Sequence, residues 1–361
     1  MKKCVVVSDS FKGTVSSREI CEIAQRVIPR HFPACEVVCI PVADGGEGTV
    51  DCFIQAMGAQ RVEVTVTNAL GEKSAAAYAR IGELAIIEMA AAAGLPQVGA
   101  LRCPGTATTY GVGELIAHAV DSGCRKILLG LGGSATNDGG CGCAAALGVR
   151  FYDAAGQSFI PVGDTLGRIA RIDTAKADEL LRSVEITVMC DVTNPLYGPT
   201  GAAYVFAPQK GADAEKVKSL DAGLRHFGDV IRSQYGLDVG AMPGAGAAGG
   251  MGAGCVALLG GTIQSGIDAV LDVTGFDRQL EGADLVITGE GRTRAKGIPL
   301  IAIAGGIADS AGAVYDIGVS AMFSTDRAAL PVDMLGARSP GDYEATLSDI
   351  MSLIAIAERF A

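Results

Sequence analysis

Residues 126–140 read Lys-Ile-Leu-Leu-Gly-Leu-Gly-Gly-Ser-Ala-Thr-Asn-Asp-Gly-Gly: an apolar run enters a Gly/Ser/Thr loop, and a small-residue helix is expected at 143–147. Glycines let a backbone approach an anion. The hydroxyls of Ser134 and Thr136, with free amides at the helix start, are then its donors. Gly132, Gly133, Ser134, Thr136 and Asn137 therefore form a candidate cradle for a phosphate or a carboxylate. The same residues also read as a tight strand-to-helix turn with no ligand.

A second group consists of carboxylates placed just after apolar runs. Asp9 follows residues 3–7, Asp44 and Glu47 follow 37–42, Asp191 follows 186–190 and Glu290 follows 284–288. In an open parallel sheet the ligand crevice lies outside the C-terminal ends of the strands. Carboxylates gathered there suit magnesium beside phosphate oxygens, or a base that takes a hydroxyl proton. Each one alone reads equally well as a helix cap. Lys12 and Arg292 sit in glycine-bracketed loops beside two of these acids, where they would stabilise phosphoryl charge or form surface ion pairs. Lys210, in Ala-Pro-Gln-Lys-Gly, is a weaker candidate. The glycine-rich stretch 240–254 would allow a second ligand or domain to approach closely, or serve close helix packing or a hinge.

Several chemistries are excluded. The loop 126–140 is not a dinucleotide fingerprint, since the GxGxxG spacing fails there; no GxxxxGK[ST] occurs anywhere, and protein-kinase signatures are missing. His31, His118 and His226 have no acid or nucleophile partner at motif spacing. The eleven cysteines, several inside apolar runs, read as reduced and mostly buried thiols rather than as disulfides or a zinc site. A net charge of −11 argues against nucleic acid and anionic membranes, and aromatic residues at 5% argue against stacking platforms. No apolar run is long enough to span a bilayer and no targeting peptide is visible, so a cytoplasmic location is expected.

The elements that must position these residues follow from hydrophobic period. Residues 3–7 and 37–42 read as buried strands, each followed by a helix; Ser16 and Glu19 form a capping box for the first helix, and the second covers 49–57. From Arg61 the pattern alternates as Val62, Val64 and Val66, with further strands at 75–81 and 83–89, as in a mixed or antiparallel sheet. Helix signals return at 111–119, strands at 126–131, 186–190, 284–288 and 299–304, and an amphipathic helix at 343–360. With 361 residues and about 150 per domain, two domains are expected: an αβα domain built from both chain ends and a second α/β domain inserted between them.

The segments 9–13, 42–49, 130–140, 190–196, 243–254 and 288–292 together resemble the bacterial glycerate kinase family, which includes the glycerate 2-kinases. The resemblance runs in order from residue 3 to about 306. It implies ATP-dependent phosphorylation of D-glycerate, usually at the 2-hydroxyl, with magnesium. It also implies a flavodoxin-like domain (residues 1–65 and 285–361), an inserted mixed-sheet α/β domain (66–284) and an active site in the cleft between them. Lys12 and Arg292 would serve the phosphoryl group or the substrate carboxylate. Asp191 would be the base or hydroxyl orienter, with Asp44 as runner-up. Ser10, Gly289 and residues 132–137 would bind anion or nucleotide, and Asp9 and Glu290 would serve magnesium. The partners implied are D-glycerate and ATP, with a homodimer open to it. A non-catalytic protein sensing glycerate or a nucleotide on the same fold is the alternative.

The chain departs from the family pattern after Arg292. There the family continues into a polar segment with an Asp and a Gly-Lys pair, then a helix, whereas Thr293–Ile298 run almost directly into the next strand. A parallel crossover takes a dozen or more residues. Either the two strands are not joined by a normal crossover, or an active-site loop is missing from the sequence. The second is the expectation adopted, and a true deletion would favour the sensing alternative.

Overall fold

The computed structural model describes residues 1–8, 15–41, 48–289, 298–304, 321–324 and 339–360. The chain divides into two compact units, residues 1–43 with 270–361 and residues 44–269. Both divisions come earlier in the sequence than 65/66 and 284/285.

In the first unit β1 (Lys3–Ser8), β2 (Glu36–Pro41), β12 (Leu285–Thr288), β13 (Leu300–Ala304) and β14 (Ala321–Ser324) form a wholly parallel sheet in the order β14-β13-β12-β1-β2. Renumbered within the unit this is 2-1-3-4-5, the flavodoxin-like order. Cys4, Val5, Val6 and Val7 are fully buried, because β1 is central and covered on both faces. The helix Ser17–His31 starts at the expected capping box: Glu19 N donates to Ser16 Oγ at 3.2 Å, and Ser16 N donates to Glu19 Oε2 at 2.8 Å. Its buried face (Ile20, Ile23, Ala24, Val27) packs into one core with Tyr343, Leu347, Ile350 and Met351 of the helix Pro340–Phe360.

β12 and β13 are parallel neighbours, with Val286 opposite Leu300 and Thr288 opposite Ala302. The strands are therefore adjacent, and the sequence joins them through residues 289–299 alone. The expected additional loop is not part of this chain; residues 290–297 of the connection lie outside the described residues.

In the second unit β3 (Gln60–Thr67), β4 (Lys73–Ile81), β5 (Leu84–Glu88), β6 (Lys126–Gly130), β10 (Glu185–Met189) and β11 (Thr262–Gln264) form a sheet in the order β11-β10-β6-β5-β4-β3. β3, β4 and β5 pair antiparallel; β5, β6, β10 and β11 pair parallel, as expected for a mixed sheet. A small antiparallel sheet of β7 (Arg150–Tyr152), β8 (Ser158–Phe159) and β9 (Arg171–Asp173) stands apart. Helices Tyr110–Asp121 and Ala214–Tyr235 bury Leu115, Ile116, Leu224 and Phe227 in the core beside Ile87, Leu129 and Val188. Among the described residues no helix is long and apolar enough to cross a membrane.

Candidate active site

Parallel register sets three strand exits of the second unit side by side. Glu88, the last residue of β5, is opposite Gly130 of β6, and Gly130 is opposite Met189 of β10. The Gly/Ser/Thr loop 130–140 therefore leaves the sheet between Glu88 and Asp191. In the first unit the exits of β1, β2 and β12 are likewise adjacent, with Ser8 opposite Pro41 and Val7 opposite Thr288. Gly289 follows there, where a Cβ would collide with the Ser8 hydroxyl. Asp9, Ser10, Lys12, Asp44, Glu290 and Arg292 lie outside the described residues.

The loop is held on every side by backbone bonds. Ala135 N donates to Ala93 O at 2.9 Å, Leu95 N to Gly133 O at 2.8 Å and Gly139 N to Gly249 O at 3.0 Å. Gly133 adopts φ +72°, a left-handed conformation that a glycine takes without strain. The glycine-rich stretch turns out to serve close packing. Ala248, Gly249 and Gly250 take φ values of 53°, 70° and 92° within the helix Ala247–Leu259. A Cβ at Gly249 would strike Thr136 O and come within 2.5 Å of Asn137 Cα.

Asp138 changes the expected chemistry of the loop. Its carboxylate is fully buried and accepts from Thr109 N and Oγ1 at 2.8 Å, from Gly140 N at 3.1 Å and from Gly142 N at 3.2 Å. Thr109 Oγ1 in turn accepts from Cys143 N at 2.8 Å. The amides expected to receive an anion at the start of the helix Cys141–Ala146 are thus already engaged by the protein. Burial pushes the Asp138 carboxyl above its usual range, and the hydrogen bonds from Thr109, Gly140 and Gly142 oppose the shift.

The donors left to an anion lie earlier in the loop, in residues 132–137, and several are side chains. Lys210, at the end of the turn Pro208–Lys210, is 2% exposed, and its Nζ donates to Ser134 Oγ and to Thr136 O, each at 2.7 Å. No ion pair to Lys210 occurs among the described residues. Burial lowers its ammonium to about 7, against the opposing pull of Asp138. A charged Lys210 has no lone pair, so Ser134, accepting from it, must direct its own proton elsewhere. Thr136 Oγ1 and both polar side-chain atoms of Asn137 are buried without a hydrogen-bond partner among the described residues. Leaving each such group unpaired costs about 1–3 kcal/mol, which a ligand or water would recover.

Asp191 is exposed, and its Oδ1 accepts from Gly266 N at 2.9 Å. It therefore caps backbone, the alternative open to every acid of this set, while its side chain stays accessible. Glu88 and Asp138 have no role among the sequence expectations. Glu88 is 7% exposed and accepts from Val50 N, at the start of the helix Thr49–Met57. The signal for it was present, since it too is a carboxylate at the end of a buried run.

A unit with a 2-1-3-4-5 parallel sheet and a second, mixed α/β unit with a braced glycine loop at a strand exit define a doubly wound α/β protein of the type that binds small ligands at strand ends. The family model described as the glycerate kinase family matches residues 4–355. A glycerate kinase of Bacillus cereus is 44% identical, with 99% of each chain covered. The glycerate 2-kinase of Escherichia coli is 42% identical over 89% of this chain and 90% of its own. A Salmonella typhimurium LT2 chain whose crystal structure was described under the name glycerate kinase 2 has a TM-score of 0.86 at 37% identity, with 99% of each chain covered. The chain belongs to the glycerate kinase family, a family of kinases. The Bacillus cereus alignment spans 377 positions against 361 residues here, so this chain meets it with at least 16 gap positions. The short β12–β13 connection is in keeping with that shortening.

Proposed function

We propose that this protein transfers the γ-phosphoryl group of ATP to the 2-hydroxyl of D-glycerate, giving 2-phosphoglycerate and ADP. Family membership and the glycerate 2-kinase relative support the substrate and the position. The observation that carries the reading is the loop 132–137, with a buried lysine beneath Ser134 and unpaired polar atoms on Thr136 and Asn137. Such a loop receives an anion through Gly132, Gly133, Ser134, Thr136 and Asn137.

In-line transfer asks the protein chiefly for positioning and charge neutralisation. Asp191 orients the 2-hydroxyl and accepts its proton as the new O–P bond forms and ADP leaves; Asp44 is the second choice for that role. Lys12 and Arg292 neutralise the phosphoryl oxygens or the substrate carboxylate, and Ser10 and Gly289 complete the anion contacts. Asp9 and Glu290 are the residues that would hold magnesium, which would supply positive charge to neutralise the phosphates. Both lie outside the described residues, and no step here runs through the metal.

A coupled ADP-release assay with D-glycerate, ATP and magnesium tests the reading, and enolase added to the product distinguishes the 2- from the 3-phosphate. Lys12→Ala and Asp191→Asn are expected to lower kcat by at least about 100-fold. Normal turnover in the double variant would remove the core of the mechanism. A second reading, a glycerate- or nucleotide-sensing protein, is favoured by the short β12–β13 connection alone. Ligand binding without turnover would select it.

A further inference from the structure

A cavity of about 490 Å³ lies within the second unit, against the loop. On its floor are Ala75 and Ala77, which alternate along β4 with the core-facing Ala76 and Tyr78. Leu95 and Pro96 form an apolar wall. The buried carboxylate of Glu88 and the backbone of Gly133 also line it.

We propose that this cavity holds the nucleoside part of the nucleotide, with Glu88 accepting from a ribose hydroxyl and the phosphate chain leaving past Gly133 toward Ser134. The assignment rests on the kinase reading above and decides which substrate sits where. Three observations carry it. The volume falls in the range of roughly 300–1000 Å³ that suits a molecule of nucleoside size, and a three-carbon acid would leave most of it unfilled. The alanine floor presents only methyl groups from a strand, a shallow apolar face against which a planar base lies flat. Among the described residues the charged lining is Glu88, Asp51 and one cation, Arg61, which is 2.7 Å from Asp51. A carboxylate in that lining accepts from hydroxyl donors and gives the carboxylate of glycerate no partner. The anion-receiving groups (Ser134, Thr136, Asn137) begin one residue beyond Gly133, at the edge of the cavity.

Ala75→Leu tests the assignment, because Ala75 is exposed and a larger side chain there costs the fold little. Binding of ATP and ADP by titration calorimetry and KM for both substrates are the readouts. ATP affinity is expected to fall, and the KM for ATP to rise, by about tenfold, with the KM for D-glycerate within twofold of the wild type. A second variant, Glu88→Gln, is expected to narrow the discrimination between ATP and 2′-deoxy-ATP. Unchanged ATP binding in a folded Ala75→Leu protein, or a rise confined to the KM for D-glycerate, would overturn the assignment while the kinase reading stands. A wild-type protein that neither binds nor turns over ATP would instead overturn the kinase reading.

Discussion

A lysine ammonium sealed beneath Ser134 makes a definite pH signature. Its folded pKa of about 7 lies below the ordinary 10.5 that it regains on unfolding. Below pH 7 both states hold the proton and the folded state bears the full cost of the buried charge. Between pH 7 and 10.5 the unfolded chain holds a proton that the folded chain has released, so stability rises with pH there, by at most about 1.4 kcal/mol per unit. Urea midpoints measured across that window in the wild type and in Lys210→Met should show the slope in the first and lose it in the second. Asp138 acts in the acid range with the opposite sign, since its folded pKa is raised: stability falls as pH rises from the unfolded pKa through the folded one. Lys210→Met is also expected to raise the KM of whichever substrate the loop holds, because Ser134 loses the donor that fixes its proton. The loop motif was legible because its residue types are spaced along a single segment. Lys210 reaches it from more than seventy residues downstream, and no local spacing reports a distant chain crossing. Glu88 sits in Ile-Ile-Glu-Met-Ala-Ala-Ala-Ala, at the end of a buried run like the acids singled out, but without the glycines that marked the other loops.

Elements were more legible than their partners. The helix Thr49–Met57 and the Ser16 capping box are written in local chemistry, and both occur as that chemistry dictates. Ser16→Ala should destabilise the protein by about 1 kcal/mol, read as a shift in denaturation midpoint, with both KM values unchanged. The longest described second-unit helix, Ala214–Tyr235, has no counterpart among the sequence expectations, although Val217, Leu220, Leu224, Phe227 and Ile231 follow helical spacing. Its apolar stripe is thin between charged residues and carries no motif. The stretch 240–254 is the reverse case: its composition announced a constraint without saying which. Close packing is the answer, because Gly249 lies against the backbone of Thr136 and Asn137. Gly249→Ala combines a left-handed φ with that collision and is expected to cost about 2–4 kcal/mol. It should also lower affinity for the anion, since the turn that yields is the one bearing Thr136.

At the scale of the molecule the two units differ in how the chain builds them. Residues 44–269 are continuous and contain their own sheets and core. Expressed alone, that fragment should fold, with helical and strand circular dichroism and one cooperative thermal transition; a fragment lacking such a transition would show that its core depends on the rest of the chain. The overall α/β grammar was legible because every buried strand is a short apolar run. The division points were not, because pairing partners rather than composition decide which sheet a strand joins, and β3 belongs wholly to the second unit.

β1 is bonded on one side to β2, about thirty residues away, and on the other to β12, which follows only after the whole of the second unit. On the ribosome the N-terminal strands therefore emerge first and finish last. The nascent chain carries an open parallel edge of Cys4–Val7 while the inserted unit is translated and closes on itself. A stall or truncation before β12 leaves that apolar edge exposed to other chains. Chaperone demand during synthesis should thus peak with the middle of the message and fall once residues 285–288 have left the exit tunnel.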